Sequence, residues 1–429
     1  MRQMSRLIWR KDALFASALA LSIGLGATTN AFGQSLRWLG TWGGTLPYAE
    51  AHGVSADGRV VCGWGGVYSP HVAFRWTPET GMQDIGQLVP PYSTEAWGMS
   101  DDGRIIVGYG ITGTNPFGSS PYRGFRWENG VFTDLGTLGG RTSWAYAASV
   151  DGSVIVGAAE LSNGFNRAFR WTAATGMVNL GTLPGALRSV ARGVSANGNV
   201  VVGWSGFENQ IHHAFRWTPD GGMTDIHNPS FGQSEALGVS GDGNVVVGAW
   251  GPPSFTPTLP FRWTAEGGMV NLGTLGGQWG EAWDANYDGT IVVGWSDRDP
   301  GETSEWAAFR WTPQGGMEDL NVTYASLLRP GDRLEWASAI SPDGRYIVGN
   351  GHNGATGRIE VFLLDTGPRC VSHNGDVDNN NCIDDADLLA VLFAFGQSGS
   401  SLGRVDVNCD QVVDDADLLI VLFNFGQGC

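Results

Sequence analysis

The tripeptide Phe-Arg-Trp occurs six times, about every 45–50 residues, beginning at Phe74, Phe125, Phe169, Phe215, Phe261 and Phe309. A period of this size restricts the chain to repeat architectures, in which each unit buries its apolar face against the next. Every unit carries the same four phrases. Glu-Ala-x-Gly-Val-Ser opens it, as at residues 50–55, and an x-Asp-Gly or x-Asn-Gly turn follows. A Val-rich run ending in Gly comes next, as at residues 200–203. A variable loop then leads to Ala-Phe-Arg-Trp, and a second turn to Met-x-Asp-Leu-Gly.

Each phrase is short, rich in β-branched or aromatic residues and bounded by Gly, Pro, Asn or Asp, which is strand chemistry with hairpin turns. Four strands per unit build one blade of a β-propeller. Seven turns, at Gly58, Gly103, Gly152, Gly198, Gly243, Gly289 and Gly344, predict seven blades. No amphipathic helix is expected before the C-terminal region. The last unit has Phe362-Leu363-Leu364 in place of Phe-Arg-Trp and lacks a fourth strand. Residues 36–44 align with the fourth-strand segment 269–277. An N-terminal strand pairing into the last blade would close the ring and remove an exposed sheet edge. The prediction is an all-β, seven-bladed propeller over residues 34–366. These units resemble the bacterial extracellular HAF repeats, named for segments such as His213-Ala214-Phe215, over about residues 36–364. That resemblance implies the fold and no particular activity.

Arg2, Arg6, Arg10 and Lys11 precede an apolar stretch at residues 13–27, and small residues at 31–33 offer a cleavage site. Residues 1–33 therefore read as a secretory signal peptide, which predicts a secreted bacterial protein with no membrane span after cleavage. Cleavage removes four bases and one acid and takes the net charge from −17 to −20. Such acidity excludes nucleic acid and anionic membrane as electrostatic partners and favours cations. Cys62 falls in a strand and reads as a buried small hydrophobe. Cys370, Cys382, Cys409 and Cys429 all lie in the last 60 residues and suggest two disulfides with three pairings open; a Cys370–Cys429 clasp would tie the ends of the segment.

Residues 367–429 read as a separate small helical module. Two segments, starting at Asp376 and Asp406, place oxygen side chains at loop positions 1, 3, 5, 9 and 12. These are Asp376, Asp378, Asn380, Asp384 and Asp387 in the first, and Asp406, Asn408, Asp410, Asp414 and Asp417 in the second. The backbone carbonyls of Cys382 and Val412 would add position 7. Calcium takes six to eight hard oxygen ligands, and this spacing wraps them around one ion, so two Ca2+ sites are predicted. The doubled loop ending in Asp, with no leading helix, resembles a type I dockerin over residues 375–428. The resemblance implies calcium-dependent folding and docking onto a cohesin-like or surface protein. Two departures stand out. Asn381 and Gln411 replace the usual Gly at position 6, and residues 385–395 and 415–425 carry no Lys or Arg, unlike many cohesin-binding faces.

Variation between units concentrates in the loops between second and third strands and in the inter-blade connections, which places function on that face. Two repeat positions entering the innermost strand should ring the channel mouth there. The first supplies Glu50, Glu95, Glu235 and Glu281; the second supplies His52, Trp97, Tyr146, Arg192 and Trp283. Aromatics and carboxylates around a shallow opening suit sugar rings. The other reading of the repeated Glu residues is that they only shape the repeat. The Phe-Arg-Trp motif reads as structural, its arginines pairing with acids or amides on adjacent strands, such as Asp84, Asp134 and Asp225. Hydrolase, P-loop and dinucleotide motifs are absent. The expected function is a monomeric, secreted, calcium-binding and non-catalytic binding or scaffold protein whose propeller recognises a glycan. The alternative is a dockerin-borne polysaccharide hydrolase or lyase, which the lack of a non-repeated acid pair disfavours.

Overall fold

A computed structural model describes residues 28–29, 33–43, 47–66, 70–113, 121–208, 211–252, 258–299, 305–367, 374–378, 380, 382–397, 403–408 and 413–429. Within them the chain folds as a seven-bladed β-propeller and a small helical C-terminal region. Blade 1 consists of Ala49–Val54, Val61–Gly65, Val72–Thr77 and Gly81–Asp84, antiparallel and in that order outward. Blades 2 to 6 repeat this over residues 94–134, 139–179, 188–225, 233–271 and 280–319. Blade 7 has three strands of its own, Arg333–Ile340, Tyr346–Asn353 and Arg358–Asp365, and its fourth is Ser35–Gly40. Leu36 stands opposite Leu364 and Trp38 opposite Phe362, so the ring closes as the alignment of residues 36–44 predicts. Thr28–Thr29 adds a two-residue strand beyond it.

The core lies between blades rather than within them. Phe215 of blade 4 packs with Val154, Val156 and Ala168 of blade 3, and Phe261 of blade 5 with Val200, Val202 and Ala214 of blade 4. The same position is filled by Phe74, Phe125, Phe169, Phe309 and, in blade 7, Phe362, and all seven rings are fully buried. Burying each contributes about 1.5–3 kcal/mol. This explains why Phe survives in blade 7 when Arg and Trp do not. Cys62 belongs to the core between blades 1 and 2 as a free, buried thiol.

The turn phrase is a hydrogen-bonded device. In blade 1 the buried Ser55 Oγ donates to Asp57 Oδ1 and accepts from Val60 N, while Asp57 Oδ1 also accepts from Arg59 N. Gly58 sits at φ +68°, which L side chains rarely adopt. The turns are also linked to each other. Ala56 N donates to Asp101 O, Asp101 N to Val150 O, Val150 N to Ala196 O, and Ala196 N to Gly241 O.

The arginines do something other than expected. Arg75, Arg170, Arg216 and Arg262 donate through Nε to the carbonyls of Gly103, Gly198, Gly243 and Gly289, the turn glycines of the next blade. Asp84 and Asp134 instead accept from Gly86 N and Gly136 N, and Asp225 from His227 N and His213. An ordered carbonyl in the neighbouring blade outcompetes an acid that is already capping its own turn. Arg310 alone of the set pairs with an adjacent-strand acid, Glu318 at 2.5 Å.

The connection from blade 6 to blade 7 adds two short helical turns, too brief to be amphipathic helices. One α-turn, Leu320–Thr323, is capped by Asp319, and a 3-10 turn, Ala325–Leu327, follows. Leu320, Tyr324 and Leu327 bury into the core between these blades. The segment is too short to show helical periodicity in sequence.

The C-terminal region has helices Asp385–Ala394 and Asp415–Phe423. Their apolar faces meet over Val377, Ile383, Val391, Val407, Val413 and Val421. Asp384 and Asp414 cap them in reciprocal capping boxes with Asp387 and Asp417. Cys429 is bonded to Cys382, not to Cys370. The Gly426 N to Ile383 O bond brings the chain end beside the first loop and makes that partner the near one. Cys370 and Cys409 lie outside the described residues.

Candidate functional site: the channel and the acidic loops

The innermost strand of every blade carries a register shift at the same place. It falls between Ala51 and Gly53, Ala96 and Gly98, Ala145 and Ala147, Ala191 and Gly193, Ala236 and Gly238, Ala282 and Asp284, and Ala337 and Ala339. A bulge of this kind adds one unpaired residue and re-aims its side chain. The residues so placed are His52, Trp97, Tyr146, Arg192, Leu237, Trp283 and Ser338, and all seven line the central channel, a cavity of about 650 Å³. The Gly that ends each Val-rich run makes room for the bulge. A Cβ at Gly63 would collide with the carbonyl oxygen of Glu50, and one at Gly203 with that of Val190.

Glu50, Glu235 and Glu281 also line the channel, whereas Glu95 does not. Glu95 is turned aside by three donors: it bonds His71 Nδ1 at 2.7 Å and Trp97 Nε1 at 3.2 Å, and Tyr109 also donates to it. Burial pushes its carboxyl up, but these bonds outweigh burial and hold it below the usual range. Glu50 shows the same balance, with burial opposed by His52 at 3.3 Å and by the Tyr48 hydroxyl. Glu281 goes the other way. Burial raises its pKa, although Trp283 Nε1 donates to it at 2.8 Å and Trp295 also bonds it. Glu235 meets His212 Nδ1 at 2.5 Å.

Aromatic rings form a continuous run over blades 1 to 3. His52 stacks on Trp97 with centroids 4.2 Å apart, and Trp97 meets Tyr109 at 6.0 Å and Tyr146 at 5.8 Å. The Arg192 guanidinium lies 4.4 Å over the Tyr146 ring, and its buried Nε has no hydrogen-bond partner among the described residues.

Two acids that the sequence reading passed over also line the channel. Asp284 stands where other repeats have Gly53, Gly98, Gly193 and Gly238; Asp101 stands where they have Ala56, Val150, Ala196, Gly241, Tyr287 or Pro342. The channel therefore does hold non-repeated acids, which corrects the expectation that none exist. Burial pushes Asp284 up to about 7, with backbone bonds from Ile340 N and Ala285 N pulling back and Asp101 adding repulsion. Asp101 is raised to about 6 by burial and by Asp102. His71 and His212 were also missed. Each sits three residues before the repeat Phe and reaches a Glu of the next blade. The signal lay in each residue's departure from its own repeat.

In the first acidic loop, ligand atoms of Asp376, Asp378 and Asp387 lie within 4.8 Å of one another. Asp387 is fully buried, and Asp376 is 7% exposed. Asp387 accepts from Val377 N, Asp378 N and Asp384 N, and these bonds overcome burial to hold its carboxyl below the usual range. Asn380 Oδ1 accepts from Cys382 N, and Asp384 Oδ1 from Ala386 N. In the second loop Asp417 is fully buried and accepts from Asn408 N and Asp414 N, and Asp406 is buried. Asp414 caps the helix through Ala416 N. Asp410 and Val412 lie outside the described residues. Hard oxygens crowded together in this way suit a hard divalent cation.

No family model matches this sequence, and no curated protein matches it. Solved structures do. TolB from Acinetobacter baumannii aligns at 14% identity and a TM-score of 0.40, over 61% of this chain and 64% of that one. The match thus spans less than two thirds of that protein. Oligogalacturonate lyase from Vibrio parahaemolyticus aligns at 10% identity and a TM-score of 0.49, over 79% and 96%. Kuenenia stuttgartiensis hydrazine synthase aligns at 12% identity and a TM-score of 0.45, over 72% and 93%. At these scores none of the three bears on the ligand or chemistry of this chain.

Proposed function

We propose that the protein is a secreted, non-catalytic binding protein that takes a glycan at its channel. The observation that carries this reading is the set of seven bulged side chains, of six residue types, that line one cavity of about 650 Å³ together with Glu50, Glu235 and Glu281. A rigid scaffold presenting variable, largely aromatic and acidic side chains in a concave site is how sugar rings are held: apolar ring faces stack, and carboxylates accept hydroxyls. The C-terminal module is read as a dockerin-like anchor. Calcium at Asp376, Asp378, Asn380, Asp384 and Asp387, and at the matching second-loop residues, would neutralise the carboxylates and fix the helices. Leu389, Leu392 and Phe393, with their counterparts Leu419, Leu422 and Phe423, are exposed on the two helices and offer an apolar docking face.

The test is a polysaccharide array probed with the full mature chain in calcium and scored for retention and for released sugar. Retention without release is expected. Released sugar would replace this reading with an enzyme, and silence on both counts would remove the glycan from it.

A further inference from the structure

Resting on the glycan reading, we propose that the channel takes a ligand bearing a protonated amine, so that its sugar is an amino sugar rather than a neutral or acidic one. Five carboxylates line the cavity, Glu50, Asp101, Glu235, Glu281 and Asp284, against the single guanidinium of Arg192. Arg192 is itself occupied, lying over Tyr146 and attracted to Glu281. An anionic ligand would enter against this field, whereas a cation would relieve it. A cation beside Asp101 and Asp284 would favour their charged forms. Asp284 is bonded by backbone N–H groups and by no side-chain cation, and burial leaves both acids reluctant to ionise.

A metal ion does not fit the same acids. They are spread over blades 1, 2, 5 and 6. Among the described residues the one trio with converging ligand atoms is in the C-terminal loop, not in the channel. Trp97, Tyr146 and Trp283 line the cavity with these acids; the His52 ring stacks on Trp97 and the Arg192 guanidinium lies over Tyr146. Dispersed carboxylates among aromatic side chains match an organic ammonium, which gains from charge and from ring contact. The cavity volume accommodates a short oligomer.

The experiment is calorimetric titration of the full mature chain, in calcium, with four probes: the β-1,4 tetramer of glucosamine, the tetramer of N-acetylglucosamine, a galacturonate tetramer and spermidine. The glucosamine tetramer is expected to bind about tenfold tighter than its N-acetyl counterpart. That advantage should shrink as salt rises from about 0.05 to about 0.5 M. Asp284→Asn and Glu281→Gln should each weaken the glucosamine tetramer several-fold more than they weaken the N-acetyl tetramer. If the N-acetyl or galacturonate tetramer binds as tightly, the ammonium inference falls and the glycan reading stands. If spermidine matches the glucosamine tetramer, the ammonium inference stands and the glycan reading falls. No heat from any probe overturns both.

Discussion

Asp284 shows how one departure from a repeat can set local electrostatics. It occupies a position that Gly holds in four blades, because Gly there makes room for the neighbouring blade. A Cβ at Gly238 would meet the carbonyl oxygen of Trp283 at 2.6 Å. Asp284 fits because both of its carboxylate oxygens find backbone donors, Ala285 N at 2.8 Å and Ile340 N at 3.0 Å. Its pKa of about 7 lies above the ordinary value of 3.8, so the folded state holds the proton more tightly than the unfolded one. The unfolded carboxyl ionises first as pH rises. Stability from this group is therefore lost progressively from about pH 4 up to about pH 7. Asp284→Asn cannot ionise and should escape that loss. The melting temperature of wild type relative to the variant should fall as pH rises from about 5 to about 8, following the linkage between proton uptake and stability. Parallel curves across that range would show that Asp284 is not the titrating group. The variant also turns an amide N–H2 toward one backbone N–H, so a uniform offset between the curves is expected beneath the slope.

At the scale of the element, strands and turns were legible in the sequence and bulges were not. The seven Asp-Gly or Asn-Gly turns and the Val-rich runs carry their own chemistry, so blade count followed directly. The Val-run Gly was visible too, but its reason was not. It makes way for the carbonyl of a bulged strand, a long-range contact that no local pattern encodes. The channel positions were nevertheless found, because a repeat aligns equivalent residues and His52, Trp97, Tyr146, Arg192 and Trp283 stand out as the varying ones. Glu95 was grouped with Glu50, Glu235 and Glu281 because repeat alignment cannot see that Tyr109 and His71 draw it away. Asp101 and Asp284 were missed for the opposite reason: attention to what repeats hides what does not. Four of the six arginines depart from the acid partner that an arginine in sequence suggests, because their acceptor is a turn carbonyl one blade on, whereas Arg126 and Arg310 do pair with acids, Glu128 and Glu318. In the acidic loops the spacing alone predicts what a titration can check. Calorimetry should find two Ca2+ per chain, one lost with Asp387→Ala and one with Asp417→Ala, and EDTA should reduce the helical circular dichroism of the full chain. A calcium-free, EDTA-indifferent chain would leave those carboxylates as helix caps and nothing more.

Across the whole molecule, stability is a property of neighbouring pairs. Each core joins two blades, the arginines bond forward to the next turn, and turn carbonyls accept from the blade before. Ser35–Gly40 is the piece that lets this circle close, supplying Leu36 and Trp38 to the core between blades 6 and 7. Deleting residues 34–40 should expose the edge of Arg358–Asp365, lower the melting temperature of the propeller and promote association through that edge. Size-exclusion chromatography and thermal melts check this. A monomeric variant that melts like wild type would mean that the closing strand contributes little.

The same closure sets an order in time. Ser35–Gly40 is made before blade 1, yet its partner, Arg358–Asp365, is made more than three hundred residues later. This closing strand must wait, without that partner, until the seventh blade arrives. Blades 1 to 6 can assemble in sequence behind it, but the ring has no final shape until the closing strand meets the last blade. A chain stopped short of residue 358 would then be an open arc with its N-terminal strand still looking for an edge, and a second such chain could supply one.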